Sequence, residues 1–358
     1  MKEMTGLERA LCYLRGEIPD KIPIWHESVY LTWKISGSPL NEYLFNAKKI
    51  ARAHIEYIKR YRVDICGVNV DMWWPYEPFG IEVDIRENIV QPKPSPIRKA
   101  PNPEFYDNLE YHDPFESRRG KIMKEVWSIV SKEVGGKVLL RSGWLGPIGS
   151  LAILVGVPEL MRDMLLIPDA VLKAVRRVML DWTVDFITGV CEAHMPNLTN
   201  ICWVMVPYDN LLSSPEYWDL IAKFDIECFE KVRNRLGRDL PITTHHCGSS
   251  PALDYVVEKF GRCINEIQYW WPGSDYPLSK AVEKFGGRIS IMAGIDHTRT
   301  LVLGTPRDVE AMVKRAVNIA KNRCSFALGP GCGVGYWTPE ENLLAIVRAR
   351  DKYGTYHK

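Results

Sequence analysis

Short β-branched runs alternate with longer helical patterns along this chain, and that alternation constrains the fold more than any other feature. The strand-like runs are Lys21–His26, Asp64–Val70, Lys137–Arg141, Asn200–Val206, Pro241–His246, Cys263–Tyr269, Ile289–Ile295 and Cys324–Leu328. Between them, Ala47–Tyr61, Pro168–Ala193, Pro215–Leu236 and Ser250–Lys259 carry apolar residues at helical spacing. Thr305-Pro306-Arg307-Asp308 reads as an N-cap with proline in the first turn, opening a helix to about Lys321. Thr338-Pro339-Glu340-Glu341 repeats that signal, with Glu341 placed as a capping box requires. Strands separated by helices imply parallel βαβ units, and eight such strands close a (β/α)8 TIM barrel. An open doubly wound sheet alternates in the same way and stays open as the alternative. The stretch Tyr76–Lys121, rich in proline and charge, breaks the alternation and reads as a long insertion after the second strand. No internal repeat or interdomain linker interrupts the rest, so residues 1–358 are expected to form a single domain.

Composition narrows the functional classes. The 358 residues are 46% hydrophobic and 25% charged, which excludes disordered, collagenous and coiled-coil chains. A net charge of +2 gives no reason to expect nucleic acid as a partner. The longest weakly charged stretch, Ser142–Pro158, is interrupted by glycine and proline and is short of the roughly 20 apolar residues that span a bilayer. The start, MKEMTGLERALCYLRGE, is charged throughout and lacks the apolar core of a secretory signal, so a cytoplasmic protein with no membrane partner is expected. The nine cysteines are odd in number and scattered, unlike a disulfide framework. In a reducing compartment, thiols that are not merely buried become candidates for metal ligation or catalysis.

Two segments carry such thiols. Thr244-His245-His246-Cys247-Gly248 lies at the C-terminal end of the fifth expected strand, and Leu328-Gly329-Pro330-Gly331-Cys332-Gly333 follows the eighth. A barrel enzyme builds its site at those strand ends, and loops after strands five and eight can converge across the mouth. His245 and Cys247 are two residues apart and share one side of a strand, whereas His246 points to the other. With Cys332 they form a soft set of one imidazole and two thiolates, which suits zinc with one coordination position left open. Such a metal either deprotonates a bound thiol or acts as a Lewis acid on an ether oxygen. Taken singly, a cysteine is more often a small buried hydrophobe, and a Cys–His nucleophilic pair is a further alternative. The glycine-rich run matches neither GxGxxG nor GxxxxGK[ST]. Its glycines are expected to let the backbone turn sharply and approach a ligand.

The HxCG segment, the GPGCG loop and the Thr338-Pro339-Glu340-Glu341-Asn342 helix start together resemble the uroporphyrinogen decarboxylase superfamily. The likeness is to its zinc-containing, corrinoid-dependent methyltransferase branch. Leu14-Arg15-Gly16 with Asp20-Lys21-Ile22-Pro23, Tyr76–Gly80, Ala293–Asp296 and Leu303–Pro306 resemble further family segments. The resemblance implies a (β/α)8 barrel with Zn2+ in its mouth on His245, Cys247 and Cys332. It also implies methyl exchange with a corrinoid on a partner protein, because no DxHxxG segment of the corrinoid-binding kind occurs in this chain. An acidic ligand of the family falls near Gln268 here, and Glu266, on the same strand face, becomes the candidate fourth ligand. The decarboxylase branch carries an arginine-rich segment where this chain has Trp25-His26-Glu27-Ser28-Val29-Tyr30. A decarboxylase, or a tetrapyrrole- or corrinoid-binding protein without turnover, is therefore the alternative.

Aromatic residues are expected to line the mouth. Trp25, Trp73, Trp144, Tyr208, Trp270 and Tyr336 follow predicted strands, with His297 after the seventh, and form the candidate substrate wall. Asp209 and Glu27 are the candidate acid–base residues. The second substrate is expected to be a small methyl donor or acceptor, either a thiol such as coenzyme M or a methoxylated aromatic.

Overall fold

The structure is a computed structural model that describes residues 3–26, 29–86, 89–93, 102–194, 199–205 and 215–356. Seven parallel strands form one sheet: β1 (Ile65–Gly67), β4 (Leu139–Leu145), β5 (Thr199–Val204), β6 (Ile242–His246), β7 (Glu266–Tyr269), β8 (Ser290–Ile295) and β9 (Phe326–Pro330), in that order. The first expected strand closes the circle. Ile24 bridges in parallel to Leu328 of β9 and Trp25 to Ile65 of β1, with Trp25 N donating to Leu328 O at 3.0 Å. The result is a TIM barrel, and the open-sheet alternative is set aside. Between β1 and the helix Arg118–Val134 the chain inserts a 3-10 turn (Trp74–Phe79), an antiparallel hairpin of β2 (Val83–Ile85) and β3 (Val90–Pro92), and a short helix (Pro103–Asp107). No helix among the described residues is long and apolar enough to cross a membrane.

Several boundaries follow from local chemistry. Ala47–Tyr61 and Pro215–Leu236 are helical over the expected ranges. Thr305 and Asp308 form a capping box at the helix Pro306–Ala320. Thr338 does not: the helix begins one residue later, at Glu340, with Pro339 extended at its N-cap and the Thr338 hydroxyl unpartnered. Proline has no N–H for the box to use, and Asn342 instead donates to Leu301 O and Gly304 O.

The barrel interior is layered. At its base the N-terminal helix Gly6–Leu14 packs Ala10, Tyr13 and Leu14 against Trp25, Ile65, Leu139, Met292 and Ala327. Ser290 and Ser325 lock this plug by donating to Tyr13 O at 2.6 and 2.9 Å. Beside it, Asp64 accepts from Arg9 (2.5 Å), Arg350 (3.1 Å) and the Ile24 amide (2.8 Å), tying β1, the plug and the last helix together. Above lies a polar layer in which Arg141 donates to Asn200, Thr243 and Glu266. Asp64→Ala would leave Arg9 and Arg350 buried without their shared carboxylate, an expected loss of about 3–5 kcal/mol in unfolding free energy. Denaturant titration checks this, and a loss below about 1 kcal/mol would place the network on the footing of an exposed ion pair.

Candidate metal centre

The top layer holds the candidate site. His245 is the penultimate residue of β6, Cys247 follows that strand, and Cys332 sits on the loop after β9. One ligand atom from each lies within 4.8 Å of the others, close enough for a single ion to bridge all three. A hydrogen bond from Cys247 and the neighbouring His245 hold the Cys332 thiol well below its ordinary range, despite burial that opposes this. Elsewhere burial pushes thiols up, Cys191 and Cys324 each to about 12. The low-lying thiol belongs to the soft cluster, which is the condition for a thiolate ligand.

Gln268 of β7 orients the cluster. Its Oε1 accepts from His245 Nδ1, and its amide nitrogen donates to Pro330 O at 2.5 Å. The first contact selects the tautomer that carries its hydrogen on Nδ1 and its lone pair on Nε2, the arrangement a metal-ligating histidine requires. The second fixes the loop that carries Cys332. Gly331 lets that loop pass Trp270, since a Cβ there would lie 2.1 Å from Trp270 Cβ, and Gly329 is likewise crowded by Met292. Neither has a positive φ. The chain bends at Gly331–Cys332, and the two glycines serve close packing rather than a left-handed backbone.

Glu266, the expected fourth ligand, lies outside the cluster. It pairs in register with Thr243, two residues below the His245–Gln268 pair, which is about 6.6 Å deeper in the barrel. There it is fully buried and paired with Arg141 at 2.9 Å. Burial pushes its carboxyl up and Arg141 opposes the rise.

A cavity of about 180 Å3 opens beside the three candidate ligands. Trp25, Trp74 and Trp144 line it, as their places after predicted strands imply, together with Trp127, Phe186 and Arg141, which strand-end position does not mark. Trp25 also meets His245 edge-on at 6.4 Å. Trp270 and His297 pack edge-on at 5.5 Å, and burial lowers the His297 pKa while the nearby Cys332 charge opposes that. Trp73 instead donates to Val90 O of the inserted hairpin, and Tyr336 packs against Trp33 with ring centres 4.8 Å apart, so neither joins the cavity wall. Glu27, Tyr208 and Asp209 lie outside the described residues. Two other titratable residues near the first and second strand ends are structural. His26 is buried against Tyr57 and pushed down to about 3. Asp71 is paired with Arg119 and caps the Trp73 and Trp74 amides.

Comparisons with known proteins agree with this architecture. The sequence model described as "Uroporphyrinogen decarboxylase (URO-D)" matches residues 5–353. The methylcobamide:CoM methyltransferase MtaA of Methanosarcina barkeri is 23% identical over 366 residues, covering 99% of each chain. MtbA of Methanosarcina acetivorans, of the same description, is 22% identical over 99% of each chain. A solved structure of a methyltransferase from Methanosarcina mazei superposes with a TM-score of 0.81 at 20% identity, covering 98% of this chain and 99% of that one.

Two measurements check the centre. In metal-free protein at pH 7, iodoacetamide is expected to label Cys332 ahead of Cys191 and Cys324, because only the lowered thiol is ionised there. Peptide mapping with equal labelling of all three would contradict the lowered thiol. Gln268→Leu removes the partner of His245 Nδ1, and a fall of about 10–100-fold in metal affinity is expected by competition with a chelator. An unchanged affinity would remove Gln268 from the account.

Proposed function

The chain belongs to the uroporphyrinogen decarboxylase family, and from that premise we propose that it is a methyltransferase. Its methyl group passes between a corrinoid carried on a separate protein and a small second substrate held beside His245, Cys247 and Cys332. The observation that carries this reading is the soft three-residue cluster, within 4.8 Å, at the edge of an aromatic cavity in the barrel mouth. Relatives named as methylcobamide:CoM methyltransferases, matched over nearly their whole length, support it.

The donor set fits zinc: one imidazole with its Nδ1 already occupied, and two thiols, one of them held low. Zinc held by His245, Cys247 and Cys332 would supply a Lewis acid with an open coordination position. The chain's own residues do the rest. Gln268 keeps the imidazole lone pair toward the cluster. The indole walls exclude water from the reacting methyl. Asp209 and Glu27 are the proposed proton carriers. A corrinoid is far too large for a 180 Å3 cavity, so it approaches from the mouth, where Met72 and Trp337 expose apolar surface on loops after β1 and β9. Decarboxylation of a polyacidic tetrapyrrole is the weaker reading, because the lining guanidinium, Arg141, is already matched by Glu266.

Protein purified without added zinc is expected to contain about one zinc per chain by elemental analysis, and Cys332→Ser to lose most of it. With a supplied methyl-corrinoid, the wild type is expected to change the cobalt spectrum in a manner that depends on the second substrate. No metal after zinc reconstitution, or a cobalt spectrum indifferent to every methyl acceptor, would overturn the reading.

A further inference from the structure

We infer that Cys247 and Cys332 form an oxidative modification site: a peroxide converts the pair to a disulfide, and the pair then no longer holds a metal. This rests on the metal-centre part of the proposed function and is independent of the second substrate.

Position and access single out this pair. All nine cysteines are free thiols, and six of them, Cys12, Cys66, Cys191, Cys202, Cys228 and Cys324, are buried. Cys263 is partly exposed but precedes β7, at the end of the barrel away from the mouth. Cys247 and Cys332 are partly exposed and line the same cavity of about 180 Å3, which is open to a molecule as small as hydrogen peroxide. Cys247 donates a hydrogen bond to Cys332, and the two sulfurs lie within 4.8 Å. A disulfide needs them to close to about 2 Å.

The three candidate ligands are not held alike. His245 lies within β6, and Gln268 accepts from its Nδ1. Cys247 follows that strand, and Cys332 lies on a bend of the loop after β9. Gly331 is fixed against Trp270, but a Cβ built on Gly333 or Gly335 would meet nothing within 4 Å, so the loop has room just past Cys332. Closure therefore moves two loop-borne thiols and leaves the strand-borne imidazole in place.

One thiolate sulfur attacks an oxygen of hydrogen peroxide and breaks the O–O bond. The products are a sulfenic acid and a hydroxide, which takes up the proton that the thiol gave. The second thiol attacks the sulfenic sulfur; the S–S bond forms, and the hydroxyl leaves with that thiol's proton as a second water. Two electrons pass from the sulfur pair to the peroxide. One neutral imidazole remains, and a single donor does not retain zinc where three did. The Co(I) corrinoid that the proposed reaction needs is destroyed by the same oxidants, so the pair empties the centre under conditions in which its partner cannot act.

The test treats zinc-loaded and chelator-stripped full-length protein with one equivalent of hydrogen peroxide. Remaining thiols are blocked with iodoacetamide, peptides are mapped by mass spectrometry, and a chromogenic chelator reads released zinc. The expected product in both samples is a Cys247–Cys332 link, two hydrogens lighter than the reduced pair, with two of the nine thiols lost. About one zinc is expected to leave the loaded protein per link formed. Dithiothreitol followed by zinc is expected to return both thiols and the metal. A link from either thiol to Cys202, the buried cysteine of the same cavity, overturns the inference and leaves the metal centre standing, and so does Cys332 recovered as a sulfinic acid beside a free Cys247. A link that forms with the zinc retained also overturns it. Protein that takes up no zinc, whether linked or reduced, overturns the inference and the metal-centre reading together.

Discussion

Gln268 holds together two segments that the chain separates by 85 residues, and the candidate centre depends on that contact. His245 lies on β6, Cys247 just after it, and Cys332 on the loop after β9; two other strands, β7 and β8, stand between them in the sheet. An amide is suited to span them because it accepts and donates at once. Its oxygen accepts a hydrogen bond from His245 Nδ1 and its nitrogen donates to the Pro330 carbonyl. A carboxylate in its place could accept from the imidazole but not donate to the carbonyl unless protonated. The glutamine thus sets both the tautomer of one ligand and the backbone that carries another.

The layers beneath give the site its character. A buried ion pair such as Arg141–Glu266 is costly to desolvate and is weak evidence for stability. Its effect here is chemical. It fills the middle of the barrel with charges that satisfy one another, so the space above inherits neither an open cation nor an open anion. Small inward residues, Gly67, Gly143 and Cys202, then leave room where larger side chains would fill a barrel core. Aromatic residues from the insertion and from the helices Arg118–Val134 and Leu180–His194 reach into that room. The segment that breaks the βα alternation therefore contributes, through Trp74, to the cavity wall.

Much of this was legible in the sequence, for identifiable reasons. Strand and helix periods are local, so the runs that hold β1 and β4 to β9 and the helices Ala47–Tyr61 and Pro215–Leu236 could be read from spacing alone, whereas the hairpin of β2 and β3 could not. The two-residue spacing of His245 and Cys247 put them on one face, and barrel geometry brought the loop after β9 toward them. What escaped depends on distance along the barrel axis and on packing. Glu266 and Gln268 share a strand face, and only the register with Thr243 and His245 tells which is deep and which is at the site. Trp73 and Trp74 are adjacent, and the hairpin decides which one faces the cavity. The packing role of Gly329 and Gly331 needs Met292 and Trp270 beside them, and no local motif contains that information.

The central claim is that His245, Cys247 and Cys332 bind one soft metal ion while leaving a position open. X-ray absorption at the zinc edge, on protein as purified, tests it most directly. The account predicts two sulfur scatterers at about 2.3 Å, one imidazole nitrogen at about 2.0–2.1 Å and one further light atom exchangeable by a thiol. A shell with no sulfur, or a closed shell of four protein ligands indifferent to added thiol, would contradict it.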